Sequence, residues 1–284
     1  MWSITWKRFR RSRLAIVALA YVALVALIAV AAPLIANSSR WSPVPFGPND
    51  VDVANRLRPP DAQHRLGTDE LGRDVLARMI HGARVSLTVG LLATAMAVIV
   101  GSFLGALAGY YGGAADWIVS RLIEIVLCFP FLFLVLAIVA FFGPSIWMIM
   151  LALAMTTWTS EARYVRGEVM RIRELEFAYA ARASGARDSR IIFRHLLPNA
   201  LAPVLVSASF GVAFAIVTES ALSFLGLGVP LPTATWGSIL SSAREFVEYA
   251  WWLIVFPGLA IFLTVAAFNI IGDRFRDALD PRSE

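Results

Sequence analysis

Six predominantly apolar stretches constrain this chain more than any other feature. They cover residues 14–36, 85–110, 117–142, 145–159, 201–224 and 251–271. A helix needs about 20 apolar residues to cross the hydrocarbon core of a bilayer, and all but the fourth stretch reach that length. The chain is 58% hydrophobic and 16% charged over 284 residues, whereas an ordinary soluble domain is about 25% charged. So much apolar surface cannot be hidden in one globular core, and it excludes a disordered chain. The pattern predicts an all-α integral membrane protein with six transmembrane helices, a short tail over residues 1–13 and one transmembrane domain over 14–284.

Two single residues remove whole classes of chemistry. Cys128 is the only cysteine, so neither an internal disulfide nor a cysteine metal cluster can form. Lys7 is the only lysine, and it sits in a basic tail. A Walker-type phosphate loop needs a lysine after its glycines, and a Schiff-base enzyme needs a buried one. No metal site is expected. The net charge of +5 reads as a membrane-side marker rather than a nucleic-acid footprint. The first stretch follows a basic start, as a signal peptide does. Its 23 apolar-rich residues exceed the 7–15 of a signal core, so a retained anchor is expected.

Orientation follows from arginine and lysine near the ends of the spans. The amino-terminal tail, the 160–199 loop and the carboxy-terminal tail together hold 16 of the 25 basic residues. Six spans put these three segments on one side, predicted to be the cytoplasm, with both termini there. The 37–84 loop dissents. It carries seven arginines and six acids, yet parity places it outside.

The loops carry the remaining information. In the outer loop, Thr68 or Asp69 is positioned to cap a short helix through Val75, Leu76, Met79 and Ile80, whose apolar residues share one face. The plain expectation is a helix on the membrane surface with solvated charges around it. The 160–199 loop mixes eight arginines with five acids. Its small-residue segment around Ala178, Ala180, Ala181 and Ala183 predicts a short helix ending near Gly185. A second short helix should follow, with Pro198 interrupting the ladder before the fifth span. Small residues admit a close partner, and charges of both signs fix register.

These segments, in this order, resemble a known family. The marks are His64, Arg65, Leu66, Gly67, Thr68 and Asp69 followed by Gly72, Arg73 and Asp74; then Gly109, Tyr110, Tyr111, Gly112 and Gly113 with Asp116 and Arg121. Further on come Glu219, Leu222, Ser223, Phe224, Leu225, Gly226, Leu227 and Gly228 with Trp236 and Gly237, and a closing set of Trp251, Trp252, Pro257, Gly258, Asn269, Gly272 and Asp273. The chain resembles the inner-membrane permease subunits of binding-protein-dependent ABC importers, and within them the peptide/nickel branch. The family's cytoplasmic signature is Glu-Ala-Ala, three residues, Gly, nine residues, then Ile-x-Leu-Pro. Ala180, Ala181, Gly185, Leu197 and Pro198 match it, while Tyr179 stands in place of the Glu and His195 in place of the Ile. Glu176 offers a substitute acid.

The resemblance implies a cytoplasmic coupling helix between spans four and five. Glu176, Ala178, Tyr179, Ala180, Ala181, Gly185, Ala186, His195, Leu197 and Pro198 would form the contact with an ATPase. It implies a second homologous permease, two ATP-binding cassette subunits that hold ATP and magnesium, and an extracytoplasmic binding protein. This chain would bind no cofactor and catalyse nothing. It would lie in lipid, in a bacterial or archaeal inner membrane. Peptides are the first cargo implied; nickel chelates, glutathione or another small solute are the alternatives.

Ionisable groups within spans cost about 2.5–3.5 kcal/mol each on insertion scales and so are pathway candidates. Arg121 and Glu124 lie at i and i+3 and read first as an interfacial pair. Glu219 has no basic neighbour in sequence. It could face the pathway or hydrogen-bond the following Ser223 segment. Gly101, Gly105 and Gly109, at i+4 spacing, read as a close-packing face toward another permease. A stand-alone secondary transporter is the weaker reading, since all three histidines lie outside the spans. A membrane enzyme is weaker still, with neither a H-E-x-x-H nor a G-x-S-x-G motif.

Overall fold

The computed structural model describes residue 6, residues 8–39 and residues 41–279. Lys7, Arg40 and Arg282 of the charge count lie outside the described residues. Among the described residues the chain is helix and loop, with two isolated β-bridges. The helices are α1 (Arg13–Ile35), α2 (Val75–Tyr111), α3 (Gly113–Cys128), α4 (Phe131–Phe142), α5 (Ile146–Ile172), α6 (Glu176–Ala183), α7 (Leu197–Phe224), α8 (Trp236–Ser242) and α9 (Trp252–Leu279). Side-chain caps start several of them. Ser12, Asp74 and Ser145 accept from the backbone N–H three residues on, and Thr235 forms a reciprocal capping box with Ser238.

Among the described residues, four helical stretches are long and apolar enough to cross a membrane: α1, α2, residues 203–224 of α7, and α9. The α3–α4 pair makes a fifth if it counts as one broken span. The helix α5 falls outside that set by composition, because Glu161, Arg163, Arg166, Glu168 and Arg171 occupy its second half.

Polar segments gather at two ends. At one end the 36–84 segment packs on α8 and the start of α9, in an apolar cluster of Val75, Ile239, Ala243, Trp252 and Leu253. At the other, Tyr110, Val169, Ala178, Ile191 and Leu196 form a second cluster, and Phe9 packs on Phe275 and Ala278. The helices run between these ends, so the loop chemistry is sorted into two separate layers.

Several expectations change in the folded chain. No separate surface helix precedes the second span: α2 is one 37-residue helix from Val75, capped by Asp74 rather than by Thr68 or Asp69. The third span is not one kinked helix. It stops at Cys128 and resumes at Phe131 with an 87° bend, because proline lacks the N–H and disfavours helical geometry in the residue before it. The fourth helix continues 13 residues beyond 159, to Ile172. Pro198 does not break the chain's path either. A π-helical turn over Ile191–Leu196 runs directly into α7, which leaves Pro198 in the first turn of the α-helical stretch, where a missing N–H is tolerated. Finally, Gly101, Gly105 and Gly109 face α5 of the same chain. A Cβ on Gly105 would lie 2.4 Å from the Ala162 carbonyl oxygen, and one on Gly101 2.6 Å from that of Trp158. The backbones are too close for any side chain.

Candidate functional site

At the α6 end, local sequence chemistry builds a small presented helix. Residues 178–183 are mostly alanine, which favours helix. The helix closes in a Schellman motif, with Ala186 N–H donating to Ala181 O at 3.1 Å and Gly185 N–H to Arg182 O at 2.9 Å. That motif needs a left-handed residue, and Gly185 has φ +75° with open space where a Cβ would go. One residue, Ala178, is fully buried and anchors α6 on the bundle among Val169, Ile172, Ile191 and Leu196. Tyr179 and Phe177 are exposed, as are Glu176 and Ala180, while Ala181 and Ala186 are half-buried. His195 and Leu197 are half-buried, Pro198 is exposed, and the Asn199 side chain donates to His195 O at 2.7 Å.

The acid near Tyr179 is not Glu176. The Tyr179 hydroxyl donates to Glu174, a residue that the motif comparison passed over because it lies outside the matched pattern. This bond, with help from Arg173, holds the Glu174 carboxyl below its usual range, and the same contact pushes the Tyr179 phenol up. The Arg182 guanidinium lies over both the Tyr110 ring, at 5.2 Å, and the Tyr179 ring, at 5.8 Å. Tyr110 also donates to Asp188 at 2.6 Å. Arg173 donates to the Gly109 and Tyr110 carbonyls at 2.8 and 3.1 Å, and Arg166 to Asp116 at 2.7 Å. These polar ties fasten the segment carrying α6 to the α2–α3 turn.

At the opposite end the expected solvated charges are buried. Asp74 caps α2 through one oxygen and meets His64 Nδ1 at 2.8 Å through the other. Asp69 accepts from the Arg73 N–H at 2.9 Å and from Arg73 Nε at 2.7 Å. The Thr68 carbonyl accepts from the Trp252 indole at 3.0 Å. Gly67 and Gly72 have φ near +75°, and a Cβ on Gly72 would fall 1.7 Å from Asp52 O. The motif is an internal clasp between the 52–74 segment, α2 and α9. The charged partners are close in sequence, His64 with Asp74 and Asp69 with Arg73, while the Trp252 bond to Thr68 O closes the clasp from 184 residues away, which periodicity, read one helix at a time, could not show.

The pathway candidates are not brought together. Arg121 and Glu124 pair with each other on an exposed face of α3, with Arg121 also 5.9 Å from the Trp117 ring centroid. Glu219 is fully buried. It accepts from Ser223 Oγ at 2.7 Å and Ser86 Oγ at 3.3 Å and shares no ion pair or hydrogen bond with either. Sequence reading missed Glu161, a buried acid of α5 that accepts from Ser207 at 2.6 Å. Its place at the polar end of an otherwise apolar helix was the available signal. Among the described residues, no group of three or more His, Cys, Asp or Glu could hold a metal ion.

Comparisons with known proteins agree with this architecture. The family described as the inner-membrane component of binding-protein-dependent transport systems matches residues 101–284. The amino-terminal transmembrane domain of oligopeptide transport permease C matches residues 1–60. The dipeptide transport system permease protein DppC of Alkalihalophilus pseudofirmus is 44% identical over 281 residues, covering 99% of this chain and 90% of that protein. The oligopeptide transport system permease protein OppC of Bacillus subtilis is 36% identical over 282 residues, again covering 99% and 90%. Among solved structures, a methionine ABC transporter in an inward-facing conformation shares the fold, with a TM-score of 0.58 at 17% identity, over 72% of this chain and 98% of that one. The chain is therefore a member of the family of inner-membrane components of binding-protein-dependent transport systems.

Proposed function

We propose that this chain forms one half of the translocation pathway of an ATP-driven peptide importer, carrying di- or oligopeptides across the inner membrane by alternating access. The observation that carries the reading is α6: a helix anchored by one buried alanine, with Phe177 and Tyr179 exposed and its flanking residues Arg173 and Asp188 tied to α2. Such a helix transmits the closure of a partner ATPase, the subunit that holds ATP and magnesium. Peptide cargo is supported by the names of the full-length relatives.

In this reading the chain crosses the membrane six times, counting α3–α4 as one broken span and the apolar half of α5 as another. Both termini and α6 face the cytoplasm; the 36–84 clasp faces a binding protein outside. A second homologous permease completes the pathway. Coupling then works by differential affinity. The ATP-closed ATPases favour one arrangement of the helices, and delivery of cargo favours the same outward-open state. The buried Glu219 and the exposed Arg121–Glu124 pair border moving helices, as gate elements.

Affinity purification from the native host in mild detergent tests the complex. Recovery of a second permease and Walker-containing ATPases is expected. In the same strain, Gly185→Glu should abolish dipeptide uptake while leaving the purified assembly intact. Uptake unchanged by Gly185→Glu would sink the coupling role of α6, and recovery of this chain alone would favour a stand-alone transporter.

A further inference from the structure

At the outer end, two buried arginines carry hydrogen-bond donors that the chain itself does not use. A cavity of about 300 Å³ lies between the start of α2, the loop that follows α7, and α8, a size at the lower end of small-molecule sites. Arg73 and Arg78 line it, with Glu70, Ser241 and Ser242 beside them. Arg73 is 4% exposed and Arg78 1%. A guanidinium carries five N–H donors. Arg73 gives Nε to Asp69 at 2.7 Å and Nη2 to Glu70 Oε1 at 3.0 Å. Arg78 gives Nη1 to Pro48 O at 3.1 Å. Its Nε is enclosed without a hydrogen bond, 3.4 Å from Asp69 Oδ2. Among the described residues, Arg78 Nη2 and Arg73 Nη1 donate to nothing.

The acids nearby are already committed. Asp69 accepts from the Leu71 and Arg73 N–H groups through Oδ1 and from Arg73 Nε through Oδ2. Glu70 is half-buried; its Oε1 accepts from Arg73, and the Ser242 hydroxyl lies within its reach. A desolvated guanidinium with unmatched N–H groups is unfavourable by itself. Its best complement is a carboxylate, whose two oxygens take parallel N–H bonds.

We propose that this cavity binds a carboxylate, held by the free N–H groups of Arg78 and Arg73. Glu70 is the acid that such a ligand meets. Two carboxyl groups this close share a proton rather than both ionise, so binding draws one proton from solvent onto Glu70. Burial already holds that carboxyl above its usual range, with the Asp69 charge adding to it. The other charges around it are Arg73, Arg78 and, past the end of α8, Arg244 and Glu245. Two sources present a carboxylate at the outer face: the carboxy terminus of a peptide cargo, or an acidic side chain of the delivering protein. The first source rests on the peptide-importer reading above; the carboxylate site itself does not.

The test uses the purified permease–ATPase complex in nanodiscs of uncharged lipid, without binding protein. Saturation-transfer NMR titrations employ sodium propionate, dialanine and dialanine amide. Propionate and dialanine should bind and compete, and the amide, which lacks the carboxylate, should not. Propionate should bind severalfold more weakly at pH 8 than at pH 6. Glu70→Gln should tighten it severalfold at pH 8 and flatten that profile, a gain that misfolding cannot produce. Arg78→Gln should abolish binding. Ser242→Leu, which fills the cavity and leaves the ion pairs in place, should do the same and keeps the test valid if Arg78→Gln misfolds. Propionate binding that dialanine does not displace assigns the carboxylate to the delivering protein and still supports the site. Absence of propionate binding to the wild type, or binding unchanged in Arg78→Gln and Ser242→Leu, overturns the proposal. Weaker binding at pH 8 in Glu70→Gln overturns the role given to Glu70. Dialanine uptake by cells, measured in parallel, separates the two readings. Uptake without propionate binding removes only this site, and binding without uptake removes only the peptide cargo.

Discussion

At Glu70 the balance of burial and charge makes a definite statement about pH. Burial first, and the Asp69 charge second, raise its folded pKa above the ordinary glutamate value of 4.5. The folded state therefore holds the proton more tightly than the unfolded state does. This contribution to stability is fully present below pH 4.5 and is lost as pH rises through the higher folded pKa. Relative to Glu70→Gln, the wild type should lose thermal stability as pH rises from about 4 to 8. Parallel melting curves that keep a constant separation would contradict it. The residues of this cluster were legible as a motif, since Asp69, Arg73 and Asp74 stand close together in sequence. Their burial was not. It comes with contacts from other parts of the chain: Trp252 donates to Thr68 O from 184 residues away, and Arg78, beside Asp69, donates to Pro48 O.

Among the elements, glycines separate two kinds of constraint. Gly185 is required for its backbone angle alone, because nothing lies within 4 Å of a Cβ placed there. Gly185→Ala should destabilise the end of α6 by about 1–2 kcal/mol and lower cargo uptake, with assembly yield preserved. Gly105 is required for space. Gly105→Val should wedge α2 from α5 and abolish recovery of folded protein in detergent, read by size-exclusion chromatography. A Gly105→Val chain that purifies like the wild type would show that this helix contact is dispensable. The i+4 spacing marked the glycine face correctly as close-packed. Which helix fills it was not in the spacing, and it is α5 of the same chain. Helix starts were more legible than helix continuity. Pro130 ends a helix and Pro198 does not, because a π-turn precedes only the second.

For the molecule as a whole, the two polar layers predict labelling from opposite sides. Gln63 and Ser184 are both exposed, one in each layer. In a Cys128→Ser background, Gln63→Cys should react with a membrane-impermeant maleimide on intact spheroplasts. Ser184→Cys should react only after permeabilisation. Labelling of both from outside would refute the orientation drawn from the basic residues.

Apolar length and arginine placement, both local quantities, were enough in sequence to mark a helical membrane protein and its polar layers. The short helix ending at Gly185 was legible too, because a small-residue run and a glycine act over one turn. What needed the tertiary structure was the choice among local partners and every contact made across the fold. Glu174 rather than Glu176 meets Tyr179 although both are near it in sequence, the Asp69–Arg73 pair is buried, and Glu219 accepts from Ser86 of α2 as well as from Ser223 of its own helix. A helix face records that it will be covered, since apolar or small residues recur along it. The identity of what covers it follows from how the helices pack against one another.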